Sequence, residues 1–229
     1  MATKENFIKR APVTIVLIII NVLVMIGLAM NNIPGEPNNM MNTWAAYTPA
    51  ILAGKEYYRL FTSMFLHFGF EHLFNNMLLL FFLGEIIENR LGSVRYLFIY
   101  LLGGVLGNLL SLWMDLKLPI NQMPISAGAS GAVFALIGAT AYLLILNKGR
   151  LEGVSFSRLL LLIVLSIWDG ARNPTIDGAA HIGGLIAGFL LTLIVYRKRE
   201  AANYILGDMA QDNEMAQGDI DEDNMHSRW

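Results

Sequence analysis

The stretch Ile125–Leu146, ISAGASGAVFALIGATAYLLIL, carries no charged residue and opens on the small-residue run Gly128-Ala129-Ser130-Gly131. An α-helix rises about 1.5 Å per residue, so about 20 apolar residues cover a hydrocarbon core about 30 Å thick. The stretch is therefore read as a membrane span with a serine early in it. Three other uncharged stretches of comparable length surround it: Val13–Met30, Tyr96–Met114 and Gly178–Tyr196, the last interrupted by His181. Two weaker ones complete the set. The run after His72 is uncharged as far as Gly84 and extends naturally from Phe65 to Glu88, and Val154–Trp168 is read as a short fifth span. The expected fold is an all-α membrane protein, a bundle of six transmembrane helices.

Composition agrees with that expectation. Of the 229 residues 55% are hydrophobic and 15% charged, against roughly 25% charged in a soluble domain. A formal net charge of -2 gives no reason to invoke nucleic acid as a partner. The chain has no cysteine, which excludes disulfides, a thiol nucleophile and a thiolate-held metal. Basic residues gather on the cytoplasmic side of membrane helices. With the N-terminus inside, all of the 16 Lys and Arg residues except Lys55, Arg59, Lys117 and Arg172 fall inside, so both termini are expected in the cytoplasm. Val13–Met30 is long for a signal-peptide core and lacks a small-x-small cleavage site, so it is read as a retained span. The chain divides into a cytoplasmic segment 1–12, a membrane domain 13–197 and an acidic, disordered tail 198–229. The proline- and aromatic-containing connection 31–64 is longer than a simple link needs, and is expected to be folded or seated at the interface.

Polar groups within spans are costly and usually mark function. His72 and Asn76 lie early in the second span, Ser130 early in the fourth and His181 early in the sixth. Even-numbered spans all enter from the outer face, so these residues share one side of the membrane. From each to the far end of its helix is roughly 22 to 24 Å, which places them at a common depth if the helices stand upright. A histidine beside a serine can take the hydroxyl proton and return it to a leaving group. Ser130 at a helix start also has unpaired backbone N–H groups and a positive dipole end beside it, which suit an oxyanion, and His72 and Asn76 could add donors. The small residues Gly128, Gly131, Gly184 and Gly188 have a plainer role as helix-packing positions. In that role Gly184-x3-Gly188 lets the sixth span come close enough to the fourth for His181 to reach Ser130.

Several motifs follow one another in order: Tyr58-Arg59, His67-x4-His72-x3-Asn76, Glu88-x-Arg90-x-Gly92, Gly128-x-Ser130-Gly131 and Ala180-His181-x2-Gly184-x3-Gly188. Over about residues 12 to 197 the chain resembles the rhomboid family of intramembrane serine proteases. The resemblance implies Ser130 as nucleophile and His181 as general base, with an oxyanion hole from the Ser130 N–H, His72 and Asn76. Arg59, Glu88, Gly128, Gly131, Phe134, Gly184 and Gly188 are assigned structural support. Tyr58 stands where tryptophan is frequent, and Phe134 where a tyrosine often packs on the histidine; an aromatic ring at 134 can still stack on the imidazole. Asp177, one turn before His181, is read as a helix-dipole and interface residue and not as a third catalytic member.

By resemblance the substrates are single-pass membrane proteins cut near the outer face, with no cofactor and no metal, and the site of action is a bacterial plasma membrane. The chain lacks a His-Glu-x-x-His motif, its Gly-Asp pairs lie in the tail at Gly207-Asp208 and Gly218-Asp219, and Ala132 stands where a Gly-x-Ser-x-Gly elbow needs glycine. Two rival readings are a non-catalytic rhomboid-like protein that binds membrane clients and a transporter. The first usually lacks the serine or the histidine; the second calls for repeat symmetry and broken helices that the sequence does not show.

Overall fold

The computed structural model describes residues 11–30, 39–149, 151, 154–161, 163–164 and 176–196. The elements in chain order are α1 (Pro12–Met30), α2 (Asn39–Trp44), β1 (Ala46–Tyr47), α3 (Thr48–Leu52), α4 (Arg59–Thr62), α5 (Phe70–Leu91), α6 (Ser93–Asp115), β2 (Ile125–Ser126), α7 (Ser130–Leu146) and α8 (Gly178–Val195). Single 3-10 turns at Ser63–Phe65 and Ile120–Gln122 punctuate the connections. Residues up to Thr192 form one compact unit, and Leu193–Trp229 form a second, of which the end of α8 and Tyr196 are described.

Helices α1, α5, α6 and α8 are each long and apolar enough to cross a membrane, and α7 is a shorter apolar helix of 17 residues. The protein is an integral membrane protein built mostly of helices. Of the expected fifth span, 156–161 and 163–164 are helical, while Leu162 and 165–175, with Trp168, lie outside the described residues.

Two helix starts differ from the sequence expectation. The second span begins at Phe70 and not at Phe65, because a 3-10 turn ends at Phe65 and Leu66 is extended (φ −90°, ψ 149°). The fourth begins at Ser130 and not at Ile125. Ile125 and Ser126 are instead a strand, paired antiparallel with Tyr47 and Ala46. Apolar composition alone does not separate a short buried strand from the first turn of a helix.

Helix α7 is the core of the bundle: Ala132 and Ala135 to Ala139 are, Gly138 included, essentially without exposed surface. Its neighbours approach at glycines. A Cβ on Gly184 would run into the Gly131 carbonyl oxygen, one on Gly188 into the Ala135 carbonyl, and one on Gly103 of α6 into the Ala135 side chain. Small residues let backbones meet in this way, and lipid-embedded helices associate largely through such packing.

Glu88, 2% exposed near the end of α5, anchors the start of α1. It accepts hydrogen bonds from the Val13 N–H (3.0 Å), the Thr14 N–H (2.8 Å), the Thr14 hydroxyl (2.9 Å) and the Ser93 hydroxyl (2.6 Å). Two orphan amides of a helix N-terminus thus meet a carboxylate, the arrangement that the helix dipole favours. Gly92, at φ +80°, turns the chain directly into α6. Glu88→Ala leaves those donors without their acceptor. It is expected to cost about 2 to 5 kcal/mol, read as a clear fall in the unfolding temperature in detergent.

Candidate active site

Ser130, His181, His72, Asn76 and Phe134 line one cavity of about 100 Å³, together with Asn75, Leu79, Val133, Ile176 and Asp177. Three helix starts supply it. Ser130 is the first residue of α7 and half-buried; His181 lies in the first turn of α8 and is 7% exposed; His72 and Asn76 stand one turn apart at the start of α5.

The His181 ring lies flat on Phe134, with centroids 4.2 Å apart and planes 10° from parallel. Phe134 follows Ser130 by one helical turn, so the helix that carries the hydroxyl also carries the ring on which the imidazole rests. Asn76 donates one amide hydrogen to the His72 carbonyl at 2.9 Å. A side-chain amide has two such hydrogens, so one donor remains for a ligand in the cavity.

The turn before Ser130 is held from outside. The Gly128 N–H donates to the Ser63 carbonyl at 2.9 Å, and the Ala129 N–H to His67 Nε2 at 3.4 Å. His67 is completely buried and lies edge-on to His72, with centroids 5.1 Å apart. Burial in the turn ahead of α5, with His72 beside it as a lesser cause, pushes the His67 pKa down to about 3. It is therefore neutral at any working pH and free to accept through Nε2. Sequence reasoning listed His67 as a motif member and gave it no task. Its spacing from Ser130 in the chain offers no clue, because the contact spans 62 positions.

Gly128 is needed for two reasons. Its φ of +143° is a backbone conformation that L side chains rarely adopt, and a Cβ there would sit 2.8 Å from His72 Cε1. Gly184 and Gly188 hold α8 against α7 as described above. Arg59 lies apart from the cavity, 6% exposed, donating to the Asn42 carbonyl (2.7 Å) and the Ala45 carbonyl (2.9 Å) and pairing with Glu56 at 2.5 Å. It folds the connection that carries β1, the strand partner of β2. Glu88 is likewise remote, at the other end of α5. Among the described residues no group of three or more His, Asp or Glu side chains is placed to hold a metal ion.

The rhomboid domain family model matches residues 54–198, more than half of the chain and every residue of the cavity. The chain belongs to the rhomboid family. Among curated relatives it is 36% identical over 140 residues to rhomboid protease GluP of Bacillus subtilis, and that match covers 61% of this chain and 26% of the relative. It is 32% identical over 150 residues to the putative rhomboid protease YdcA of the same organism, covering 65% of this chain and 72% of that one. RHOMBOID-like protein 1 of Arabidopsis thaliana is 39% identical over 141 residues, 61% of this chain and 34% of the relative. The chain thus spans about a quarter to a third of two of these rhomboid relatives and most of the third, and they come from both a bacterium and a plant.

Gly128→Ala is expected to lower stability by about 1 to 3 kcal/mol through backbone strain and displacement of His72. Gly69→Ala is the control: Gly69 is extended, at φ 175°, with open space where a Cβ would lie. Thermal unfolding of both variants in one detergent should show a fall for the first and no change for the second.

Proposed function

We propose that this rhomboid is an intramembrane serine protease that cleaves single-pass membrane proteins through Ser130 and His181. The observation that carries the reading is the shared cavity of Ser130 and His181, with the imidazole seated on Phe134 and the donors His72 and Asn76 on the same wall. Relatives whose names describe them as rhomboid proteases support the reaction class.

In the proposed reaction the Ser130 hydroxyl oxygen attacks the scissile carbonyl carbon while His181 takes the hydroxyl proton. The oxyanion formed at that carbonyl is met by the Ser130 N–H and by His72 and Asn76. When the C–N bond breaks, His181 passes the proton to the departing amine, leaving an acyl ester on Ser130. Water then attacks the ester, giving its proton to His181, and the carboxyl product leaves with Ser130 reprotonated. Six spans with both termini in the cytoplasm would open this cavity at the outer face. The membrane domain 13–197 then carries the chemistry, with 198–229 as an appended tail. The alternative, a client-binding protein without hydrolysis, is disfavoured because both Ser130 and His181 are present and line one cavity.

Purified protein incubated with a model single-span substrate provides the test. Ser130→Ala and His181→Ala should each abolish cleavage while the unfolding temperature stays near wild type. Cleavage by either variant at more than about a few per cent of wild type would refute the dyad. His72→Ala and Asn76→Ala should each slow turnover by roughly 10²- to 10³-fold, the usual worth of one oxyanion donor. Wild-type turnover in both would remove them from the oxyanion hole.

A further inference from the structure

We infer that Asp177 is a positioning residue for the Ser130–His181 pair, a single carboxylate that ties the helix carrying His181 to the strand leading into Ser130. This rests on the proteolytic reading above.

The carboxylate has three donors on three chain segments. Oδ1 accepts from the Ala180 N–H at 2.8 Å, which makes Asp177 the N-cap of α8. Oδ2 accepts from the Ser111 hydroxyl on α6 at 2.5 Å and from the Ser126 hydroxyl on β2 at 2.7 Å. The Asp177 carbonyl accepts from the His181 N–H at 3.2 Å, so the imidazole sits one helical turn from the anchor. Ser130 follows Ser126 as His181 follows Asp177, four residues on in each case.

The alternatives make different demands. A cap alone uses Oδ1 and has no need of two hydroxyls on other segments. A third member of the catalytic group would need the negative charge itself, because its task would be to stabilise an imidazolium. A positioning residue needs the network and not the charge. In Asp177→Asn the amide oxygen can still accept from Ala180, and the amide nitrogen can donate to Ser111 and Ser126 once their hydroxyls rotate to accept. The β2 strand is short, two residues paired with Ala46 and Tyr47, so the Ser126 hydroxyl adds to the Gly128 and Ala129 hydrogen bonds that hold the approach to Ser130.

The experiment compares wild type, Asp177→Asn, Asp177→Ala, Ser126→Ala and Ser111→Ala/Ser126→Ala. Three quantities are measured: the rate of Ser130 labelling by a fluorophosphonate, kcat and KM on a single-span substrate, and the unfolding temperature. Asp177→Ala and the double serine variant should lose roughly 10- to 100-fold in labelling rate and in kcat, the usual effect of misplacing a reacting pair by about 1 Å, with KM nearly unchanged. Ser126→Ala should show the same effect in smaller measure, which keeps the inference testable if the double variant does not fold. Asp177→Asn should retain labelling and kcat within about threefold of wild type, with the hydroxyls able to reverse. An Asn variant as inactive as the Ala variant would overturn the inference in favour of a charge requirement. Serine variants that label at the wild-type rate would overturn it in favour of plain capping. A wild type that neither labels at Ser130 nor cleaves would instead sink the proteolytic reading, and the positioning role with it.

Discussion

The structure depends on how closely the backbones of α7 and α8 approach. Lipid chains are as apolar as leucine, so the hydrophobic effect does little to draw two helices together inside a membrane; packing and hydrogen bonds must do it. Gly184 meets the Gly131 carbonyl, Gly188 meets the Ala135 carbonyl, and Gly138 of α7 meets the Leu185 carbonyl of α8. Any side chain at these positions would separate the helices by the width of a methyl group or more. The first of these contacts lies next to Ser130 in the chain and three residues beyond His181. The spacing of Ser130 and His181 is thus set by glycine contacts between the helices that carry them.

Around that core, a few buried polar side chains hold the irregular parts of the chain. Backbone groups away from water must find partners within the protein. Arg59 supplies donors to two carbonyls of the connection between α1 and α5. Asn108 of α6 donates to the Leu60 carbonyl (2.7 Å) and the Ser63 hydroxyl (3.0 Å), and the Ser63 carbonyl in turn receives the Gly128 N–H. A continuous set of hydrogen bonds therefore runs from α6 through the 3-10 turn to the segment just before Ser130. Glu88 does similar work at the opposite end of α5, and it joins α1 to the bundle. Arg59, Asn108 and Glu88 all lie outside the cavity lining, and of the three Asn108 is the one whose hydrogen bonds lead to the segment before Ser130.

The long helices were legible because uncharged length is nearly sufficient evidence for them: α1, α6 and α8 overlie long uncharged stretches, and α5 and the shorter α7 overlie most of the stretches expected for them. The helix starts were less legible. At Ile125 and at Phe65 the residues are apolar in either conformation, and strand pairing with Ala46 and Tyr47 decides the first case. The gathering of Ser130, His181, His72 and Asn76 could be reasoned from side and depth, because polar residues within spans are few enough to be compared one by one. His67 stood in a motif without a task, and Ser111 and Ser126 were not singled out, for one physical reason. Each acts through a hydrogen bond to a segment distant in sequence, and a serine or histidine near a span end looks the same with that bond or without it. Asp177 was noticed and assigned to the helix dipole. The cap is present, and the two hydroxyl donors could be found in the folded chain alone.

The length of α7 connects the fold to its chemistry. Its 17 residues span about 25 Å, less than the roughly 30 Å of a hydrocarbon core, and most of its surface is covered by protein. Four amides are left over at every helix start, and those buried away from water need acceptors within the protein. Just ahead of the helix the chain meets this need with the Ser63 carbonyl and His67, which take the N–H groups of Gly128 and Ala129. Ser130 comes next, half-buried and lining the cavity. An amide without an acceptor is a cost in the resting protein and an asset when a carbonyl oxygen becomes negatively charged beside it. In the proposed reaction the N–H at the start of this helix is the donor that ordinary backbone geometry offers to an oxyanion.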